Sequence, residues 1–173
     1  MLTLVEVSKG VHQAPSVVNR GFLSLYVEKK SIKINKGDLI GYIDWSEKYS
    51  VGTKLIDDQH KTLISLVNEL HEAMSIGKGK QVLSKVLQNL IDYTVSHFST
   101  EEKYMIKFNY QWYLPHKSEH RKFVEQVSAF QKGYNDGKTA LSIEIMSFLK
   151  EWLVKHILNT DKKLGSFLKE NQA

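Results

Sequence analysis

Apolar side chains recur every three or four residues in four stretches of the chain after residue 41. This spacing places them on one face of a helix, so each stretch is typical of an amphipathic helix with one buried side. The stretches cover residues 56–74, 83–104, 116–130 and 141–156. Short breaks separate them, and short connections favour antiparallel neighbours. The pattern predicts an all-α fold, an antiparallel up-down-up-down four-helix bundle followed by a short C-terminal helix near residues 162–170.

Local signals mark where these helices should begin and end. Asp57 or Asp58 is suited to cap the first helix, because a carboxylate accepts hydrogen bonds from the free N–H groups there. Pro115 is suited to open the third helix, where a missing N–H does no harm. Glycine, asparagine and proline punctuate the breaks, which are predicted at residues 77–79, 109–115 and 133–139.

The first 41 residues have a different character. They lack a helical period, contain short β-like runs, and carry six basic and three acidic side chains. We therefore divide the chain into an irregular N-terminal arm, residues 1–41, and a bundle domain, residues 42–173. The arm could be flexible, lie on the domain as a pair of strands, or bind a protein partner, and its role is unknown.

The composition excludes several kinds of site and partner. The 173 residues include no cysteine, so disulfides, iron–sulfur clusters and thiolate zinc sites are impossible. Any metal must be held by nitrogen and oxygen atoms. The net charge is +5, yet only two of the 24 basic residues are arginines, and the lysines are mixed with glutamates. This mixture indicates a solvated surface rather than a face for nucleic acid.

Hydropathy gives an expectation about location. No stretch approaches the roughly 20 apolar residues of a membrane helix. The first residues also lack the basic start and apolar run of a signal peptide. We expect no membrane span and a cytoplasmic protein.

Histidines occupy positions that a plain hydrophobic core would give to leucine. Each of the four predicted helices aims at least one imidazole inward, and the second helix adds a carboxylate. Burying unpaired imidazoles and a carboxylate is unfavourable, so a common partner at the bundle axis is indicated. The inward polar residues are His60, His97, Glu101, His116, His120 and His156.

Two spacings support convergence of these side chains. His97 and Glu101 are four residues apart, as are His116 and His120, so each pair lies on one face of its helix. His156 and Asp161 are five residues apart, which would point them well away from each other in a regular helix. If the helix ends or loosens near residues 159–160, Asp161 can turn back toward the bundle axis.

The number of donors suits two metal ions rather than one. Five imidazoles and two carboxylates exceed the four ligands of a zinc site. Two six-coordinate ions have twelve positions. The imidazoles, two bridging carboxylates and a shared oxo or hydroxo group would fill eleven of them. One position would stay open, which points to a binding site for a small ligand.

At the level of motifs, the chain from about Gly41 to its C-terminus resembles the bacterial hemerythrins. The resemblance covers about three quarters of the chain. All seven candidate ligands fall in order and at the family's spacing. The matching segments are DWS at 44–46, VG at 51–52, IDDQH ending in His60, HFSTEE at 97–102, HKSEH at 116–120 and WLVKHILNTDKK at 152–163.

The resemblance implies a non-haem diiron centre with an oxo or hydroxo bridge between Fe²⁺ or Fe³⁺ ions. It assigns three histidines to one iron, two to the other and two carboxylates as bridges, respectively His116, His120 and His156; His60 and His97; and Glu101 and Asp161. The implied activity is reversible dioxygen binding for oxygen carriage, storage or delivery. Dioxygen would bind end-on at the two-histidine iron as hydroperoxide.

Such a centre needs a dry pocket, because water and protons would release peroxide and oxidise the irons. Five apolar residues lie beside the candidate ligands or about one helical turn from them. We expect these residues to surround bound dioxygen, although they would also serve as ordinary bundle core. They are Leu63, Phe98, Trp152, Leu153 and Ile157.

Other functions remain open from the sequence. The same domain could sense oxygen, nitric oxide or redox state, with the arm contacting a partner. An enzyme with peroxidase-like or nitric oxide reductase-like activity would need an acid–base residue near the open iron, and none is evident. Iron storage or a structural metal site is a further alternative, although a structural site would be coordinatively closed. We expect an oxygen-binding protein rather than an enzyme.

Four polar residues near these motifs are given ordinary roles. His71 is eleven residues from His60, about 16 Å along a helix, and is expected at the surface or the core edge. Helix geometry is expected to point Glu102 and Glu119 away from the site. The imidazoles need outer hydrogen-bond partners, and the sequence does not identify them. His12, in the arm, is expected to be solvated.

Overall fold

The computed structural model describes residues 42–78, 80–138 and 143–171, and regular structure there is entirely helical. This confirms the all-α fold class. A 3₁₀ turn, Glu47–Tyr49, precedes the helices. The longer elements are α1 (Lys54–Ser75), α2 (Lys80–Lys107), α3 (Tyr113–Asn135), α4 (Ile143–His156), a π-helical turn (Ile157–Asp161) and α5 (Lys162–Glu170). The β-like runs, the arm and His12 lie outside the described residues.

The four long helices pack as a bundle. Helix α2 lies against both α1 and α3, and α4 lies against α1. Ring contacts join α3 to α4, where Phe123 lies 4.1 Å from Trp152 and 5.9 Å from Phe148 between ring centroids. None of the described helices has the length and apolar character needed to cross a membrane.

Two apolar clusters form the core, and the inward polar side chains lie between them along the helices. The larger cluster includes Leu63, Leu90 and Leu149. The smaller one includes Ile56 and Met105, with partners from the C-terminal helix. Burying each of these side chains stabilises the fold by about 1.5–3 kcal/mol. The bundle therefore places a polar layer between two apolar layers that hold it together from both sides.

The predicted cap of the first helix is wrong by about one turn. Helix α1 begins at Lys54, ahead of both aspartates. Asp57 instead accepts hydrogen bonds from the Val51 N–H at 2.7 Å and from the Ser50 hydroxyl at 2.6 Å. Its carboxylate therefore ties the incoming loop to the helix. Asp58 pairs at the surface with Lys54.

The third helix also begins earlier than predicted. It starts at Tyr113, so Pro115 lies inside its first turn. Proline is tolerated there because the first N–H groups of a helix have no intrahelical acceptor. The same helix continues past Gly133 to Asn135, so the break begins at Asp136, three residues later than predicted.

The C-terminal helix α5 lies at the predicted position and packs tightly against the loop before α1. A Cβ atom at Gly165 would lie 2.2 Å from the Val51 carbonyl oxygen and 2.8 Å from the Val51 Cβ. Only glycine fits this approach. Lys162 donates to the Ser50 carbonyl oxygen. The helix thereby closes the end of the bundle next to Asp161.

Candidate metal centre

The structure brings all seven candidate ligands to one buried cluster. Helix α1 supplies His60, α2 supplies one histidine and one glutamate, α3 supplies two histidines, and α4 with its π-helical extension supplies the rest. Each of the seven is at most 4% exposed. The full set is His60, His97, Glu101, His116, His120, His156 and Asp161.

Asp161 faces three imidazoles, and its two oxygens are directed to different helices. Its Oδ1 lies 3.1 Å from His156 Nε2 and 3.2 Å from His116 Nε2. Its Oδ2 lies 3.2 Å from His60 Nε2 on α1. A carboxylate that presents one oxygen to each of two groups has the arrangement of a bridging ligand.

Glu101 lies on the other side of the cluster. Its Oε2 is 3.2 Å from His120 Nε2, 3.5 Å from His116 Nε2 and 3.7 Å from His97 Nε2. These three histidines come from α2 and α3. Glu101 therefore also faces nitrogen donors from both parts of the cluster.

The donors form two overlapping groups, in each of which the ligand atoms lie within 4.8 Å of one another. One group has three histidines and the other has two, and both contain the same glutamate and aspartate. Two groups that share two carboxylates can hold two adjacent cations. Their members are Glu101, His116, His120, His156 and Asp161 in the first, and His60, His97, Glu101 and Asp161 in the second.

The π-helical turn explains how Asp161 reaches the cluster. In an α-helix, residues five apart differ by about 140° in direction at 3.6 residues per turn. The chain widens to i→i+5 pairing over Ile157–Asp161, which brings positions 156 and 161 to the same side. The prediction that the helix loosens near 159–160 is met by a local widening rather than by an end. Single π turns inside helices are frequent at functional sites.

The buried polar atoms fit a cation better than they fit a plain protein core. Within the described residues, both oxygens of Glu101 and Asp161 and both ring nitrogens of His60 and His116 have no hydrogen-bond partner. Leaving ionised carboxylates buried without compensation is strongly unfavourable. A nitrogen-rich set with two carboxylates suits ions such as iron, copper or zinc. The arrangement therefore fits two transition-metal ions.

Electrostatics keep both carboxylates ionised. Burial raises the pKa of Glu101, but the neighbouring His97, His116 and His120 bring it down to about 2. Burial likewise raises the pKa of Asp161, and His156 with other imidazoles holds it well below its usual range. Two anionic bridges are thus available to cations at the bundle axis.

The imidazoles respond to the same field in different ways. Burial lowers the pKa of His97 to about 4, against the pull of Glu101. Burial also lowers the pKa of His156, yet Asp161 and Glu119 outweigh it and raise that pKa to about 10. Without a metal, His156 thus carries the proton that a cation would displace.

Sequence reasoning missed the outer partners of three imidazoles. His156 Nδ1 lies 2.8 Å from Glu119 Oε2, and His120 Nδ1 lies 3.4 Å from Glu102 Oε1. The expectation that these two glutamates point away from the site is wrong, because each reaches the neighbouring helix. The signal available in the sequence was that each of these glutamates directly neighbours a candidate ligand. The bond with His156 lowers the pKa of Glu119.

The third partner is an amide. His97 Nδ1 lies 3.2 Å from Gln59 Oε1. The Gln59 side-chain nitrogen donates to Thr100 Oγ1 at 3.1 Å, which fixes the orientation of the amide. Gln59 is the residue before His60, and nothing in its spacing or chemistry singled it out as a partner of His97.

An apolar cavity of about 10 Å³ lies beside the cluster, about the room that one water-sized sphere occupies. Four of the five predicted pocket residues line it, and Ile157 is buried elsewhere in the core. The Thr94 hydroxyl donates to the Leu90 carbonyl at 2.7 Å, so its hydrogen is already engaged. The lining residues are Leu63, Val67, Leu90, Thr94, Phe98, Phe123, Leu149, Trp152 and Leu153.

Two aromatic rings connect this cavity to the histidines. Phe98 stacks on His120 with ring centroids 3.7 Å apart, and Trp152 stacks on His156 at 4.3 Å. Phe98 also lies 5.6 Å from the His97 ring. His71, as expected, lies away from the cluster and stacks on Tyr42 at 4.3 Å.

Comparison with known proteins is consistent with this geometry. Residues 51–168 match the family described as Hemerythrin HHE cation binding domain. The chain is 36% identical over 121 residues to a bacteriohemerythrin of Methylococcus capsulatus, covering 70% of this chain and 92% of that one. It is 34% identical over 122 residues to a bacteriohemerythrin of Pseudomonas aeruginosa, covering 70% and 78%.

A hemerythrin-like protein of Naegleria gruberi is 33% identical over 125 residues, covering 72% of this chain and 92% of that one. The crystal structure of a wild-type hemerythrin superposes with a TM-score of 0.69 at 35% identity, covering 72% of this chain and 96% of that one. The chain therefore belongs to the hemerythrin family, as an iron-binding four-helix bundle.

Proposed function

We propose that this protein binds dioxygen reversibly at a non-haem diiron centre, for oxygen carriage, storage or delivery. Membership of the hemerythrin family supports oxygen binding in general. In this proposal the three-histidine position is held by His116, His120 and His156, and the two-histidine position by His60 and His97. Glu101 and Asp161 bridge the two positions.

One feature supports oxygen binding most strongly: the two donor groups share both carboxylates but differ in the number of histidines. The three-histidine group offers five donors and the two-histidine group four. An ion at the two-histidine position therefore keeps room for an exogenous ligand. When bound, the iron pair would supply two electrons to dioxygen and the hydroxide shared by the irons would supply a proton, so that the ligand would be held end-on at the two-histidine iron as hydroperoxide.

The surroundings of the two-histidine position suit a small apolar ligand. Leu63 is one turn beyond His60 on α1, and Phe98 follows His97 on α2; both line the apolar cavity. A buried water needs about two to four polar partners, and Thr94 is the one polar side chain in the cavity lining, so the cavity should stay dry. Exclusion of water and protons protects a bound oxygen species from release as peroxide.

The chemistry of the donor set favours binding over oxygen activation. Neutral imidazoles leave less negative charge on the ions than the carboxylate-rich shells of ferritin-like diiron bundles. The polar groups nearest the cluster, Glu102, Glu119 and Gln59, bond to imidazole Nδ1 atoms. They therefore face the backs of the ligand rings. We propose an oxygen-binding protein rather than an enzyme, in which the bridges and the dry cavity hold the bound ligand without consuming it.

The alternative function is a sensor that uses the same centre and signals through residues 1–41. Oxygen carriage needs no contribution from those residues, because all seven candidate ligands lie in the bundle. We therefore place carriage first.

The proposal is tested by measuring oxygen uptake by anaerobically reduced protein. We expect one dioxygen per two irons, a charge-transfer band that appears on oxygenation, and loss of the band when oxygen is removed under argon. Irreversible oxidation on first exposure would instead indicate redox sensing or catalysis. Uptake of one dioxygen per iron would contradict the paired centre.

A further inference from the structure

The two metal positions differ in the groups that contact the Nδ1 atoms of their histidines. In the three-histidine group, His156 and His120 have carboxylates at Nδ1, from Glu119 at 2.8 Å and Glu102 at 3.4 Å. In the two-histidine group, His97 has the neutral amide of Gln59 at 3.2 Å. His60 Nδ1 and His116 Nδ1 have no hydrogen-bond partner within the described residues. The negative outer charge is thus on one side of the centre.

We propose that Glu102 and Glu119 are positioning residues that make the three-histidine position the tighter of the two, so that it binds the first metal ion. This inference rests on the proposed diiron centre and concerns how it assembles. A carboxylate that accepts the Nδ1–H proton fixes the ring orientation and raises the basicity of Nε2. Both effects strengthen metal binding at the position that His120 and His156 serve.

The distances rank the two glutamates. The His156–Glu119 contact at 2.8 Å has the length of a charge-assisted hydrogen bond, whereas 3.4 Å between His120 and Glu102 is long. Glu102 also shares its charge with Lys117, whose Nζ lies 2.9 Å from Glu102 Oε2. Glu119 is oriented by the Thr160 hydroxyl, which donates to it at 3.0 Å. Glu119 should therefore contribute more than Glu102.

Access from solvent favours the same order. A surface pocket of about 240 Å³ is lined by His116 and Glu119, with Thr160 and Lys163 at its edge. His116 belongs to the three-histidine group, and Glu119 bonds directly to another member of it. An ion that enters through this pocket meets the three-histidine position first. The apolar cavity lined by Leu63 and Phe98 is, in contrast, only about 10 Å³ and offers no comparable entry for an ion.

Cobalt(II) titration of the chelator-treated full-length protein tests the inference without dioxygen. We expect two binding steps, each monitored through the visible absorption of cobalt. In Glu119→Gln the first step weakens about 10–100-fold, the usual effect of losing such a partner, and in Glu102→Gln it weakens less. The matched control is Glu125→Gln, on the same helix as Glu119, where Glu125 is exposed and pairs only loosely with Arg121 at 3.8 Å.

A second variant identifies the position that fills first. His97→Gln should keep the tight first step and lose the weaker second one. Circular dichroism of each metal-free variant checks the fold, and a purely structural role for the glutamates would lower the melting temperature without changing the first step selectively. Weakening of the second step alone in Glu119→Gln, or a first step equal to that of Glu125→Gln, would overturn the inference.

The outcome is separable from that of the proposed function. Two cobalt steps with the expected variant effects, together with failure to bind dioxygen reversibly, would uphold the inference and reject oxygen carriage. A single cobalt ion per wild-type chain would contradict the dimetal centre and the inference together.

Discussion

The chemistry of single residues is clearest at Glu101 and Asp161. Both carboxylates are 1% exposed or less and have no hydrogen-bond partner within the described residues. Ionised groups in such a place destabilise a fold unless cations compensate them. The neighbouring imidazoles stabilise both anions in the metal-free bundle, and bound cations would stabilise them further.

Glu101→Gln should remove the metal pair, because the amide cannot bridge two cations as an anion. We expect iron to fall from two per chain to below one. In the metal-free state the free energy of unfolding should also fall, because the imidazoles that lower the pKa of Glu101 lose their anionic partner. Metal analysis and urea denaturation in a chelator measure both quantities. Glu125→Gln is the control, and full iron content in Glu101→Gln would contradict the ligand assignment.

The apolar residues beside the cluster are expected to act through exclusion of water. Leu63 is 2% exposed and lines the cavity. Leu63→Ala should lower the free energy of unfolding by about 2–5 kcal/mol, as buried leucine truncations do. It should also speed oxidation of the oxygenated protein, because a larger cavity admits water.

The control for Leu63→Ala is Leu114→Ala, at a side chain 74% exposed. Stopped-flow spectroscopy gives the oxidation rate, and chemical denaturation gives the stability. A Leu63→Ala protein that is destabilised but oxidises at the wild-type rate would show that this wall does not protect the site.

At the scale of elements, the π-helical turn Ile157–Asp161 has the most specific task. It lets α4 deliver His156 and then Asp161 to the same side of the chain before α5 continues. Wide turns have poorer hydrogen-bond geometry and are rarely kept without a reason. Here the reason is the second carboxylate of the cluster.

Insertion of one alanine after Asn159 should place the aspartate six residues beyond His156 and rotate it by about 100° away from the cluster. We expect iron content to fall sharply while helix content by circular dichroism stays close to the wild type. Asn159→Ala is the matched control, because it removes only the exposed side chain and its bond to the Lys155 carbonyl. Normal iron content in the insertion protein would mean that the aspartate does not depend on this spacing.

The elements also show which features of the fold could be predicted from the sequence. Helix number and inward faces were predictable because the 3.6-residue period is fixed by backbone geometry, and so was the convergence of histidines from four helices. The first residues of the helices were less predictable. Helix α1 begins at Lys54, and Asp57 accepts a hydrogen bond from the preceding loop instead of capping the helix. The bonds of Glu102 and Glu119 join different helices, so they depend on helix rotation, which a single sequence does not specify.

The described residues form a bundle whose polar layer lies between two apolar clusters. All seven candidate ligands and the cavity lining lie in the part of the chain matched by the hemerythrin family. Residues 1–41, with their excess of basic side chains, lie outside that match. The division into an arm, 1–41, and a bundle domain, 42–173, remains a prediction.

Removal of residues 1–41 should leave iron content and oxygen affinity unchanged, because the bundle contains the complete candidate site. Oxygen-binding curves of the full-length and shortened proteins measure this directly. A loss of affinity would indicate that the arm contributes to the site. Unchanged binding with loss of an oxygen-dependent protein partner would favour the sensor over the carrier.

Reversible binding at the proposed centre requires two inequivalent irons that transfer two electrons to dioxygen and regain them when dioxygen is released. Mössbauer spectroscopy of ⁵⁷Fe-loaded protein, taken before oxygenation, after oxygenation and after removal of oxygen, measures both steps. We predict a ferrous pair, then a coupled ferric pair with two distinct iron environments, then the original ferrous spectrum. A centre that stays ferric after oxygen is removed, or that shows one isolated iron, would contradict reversible binding at a paired site.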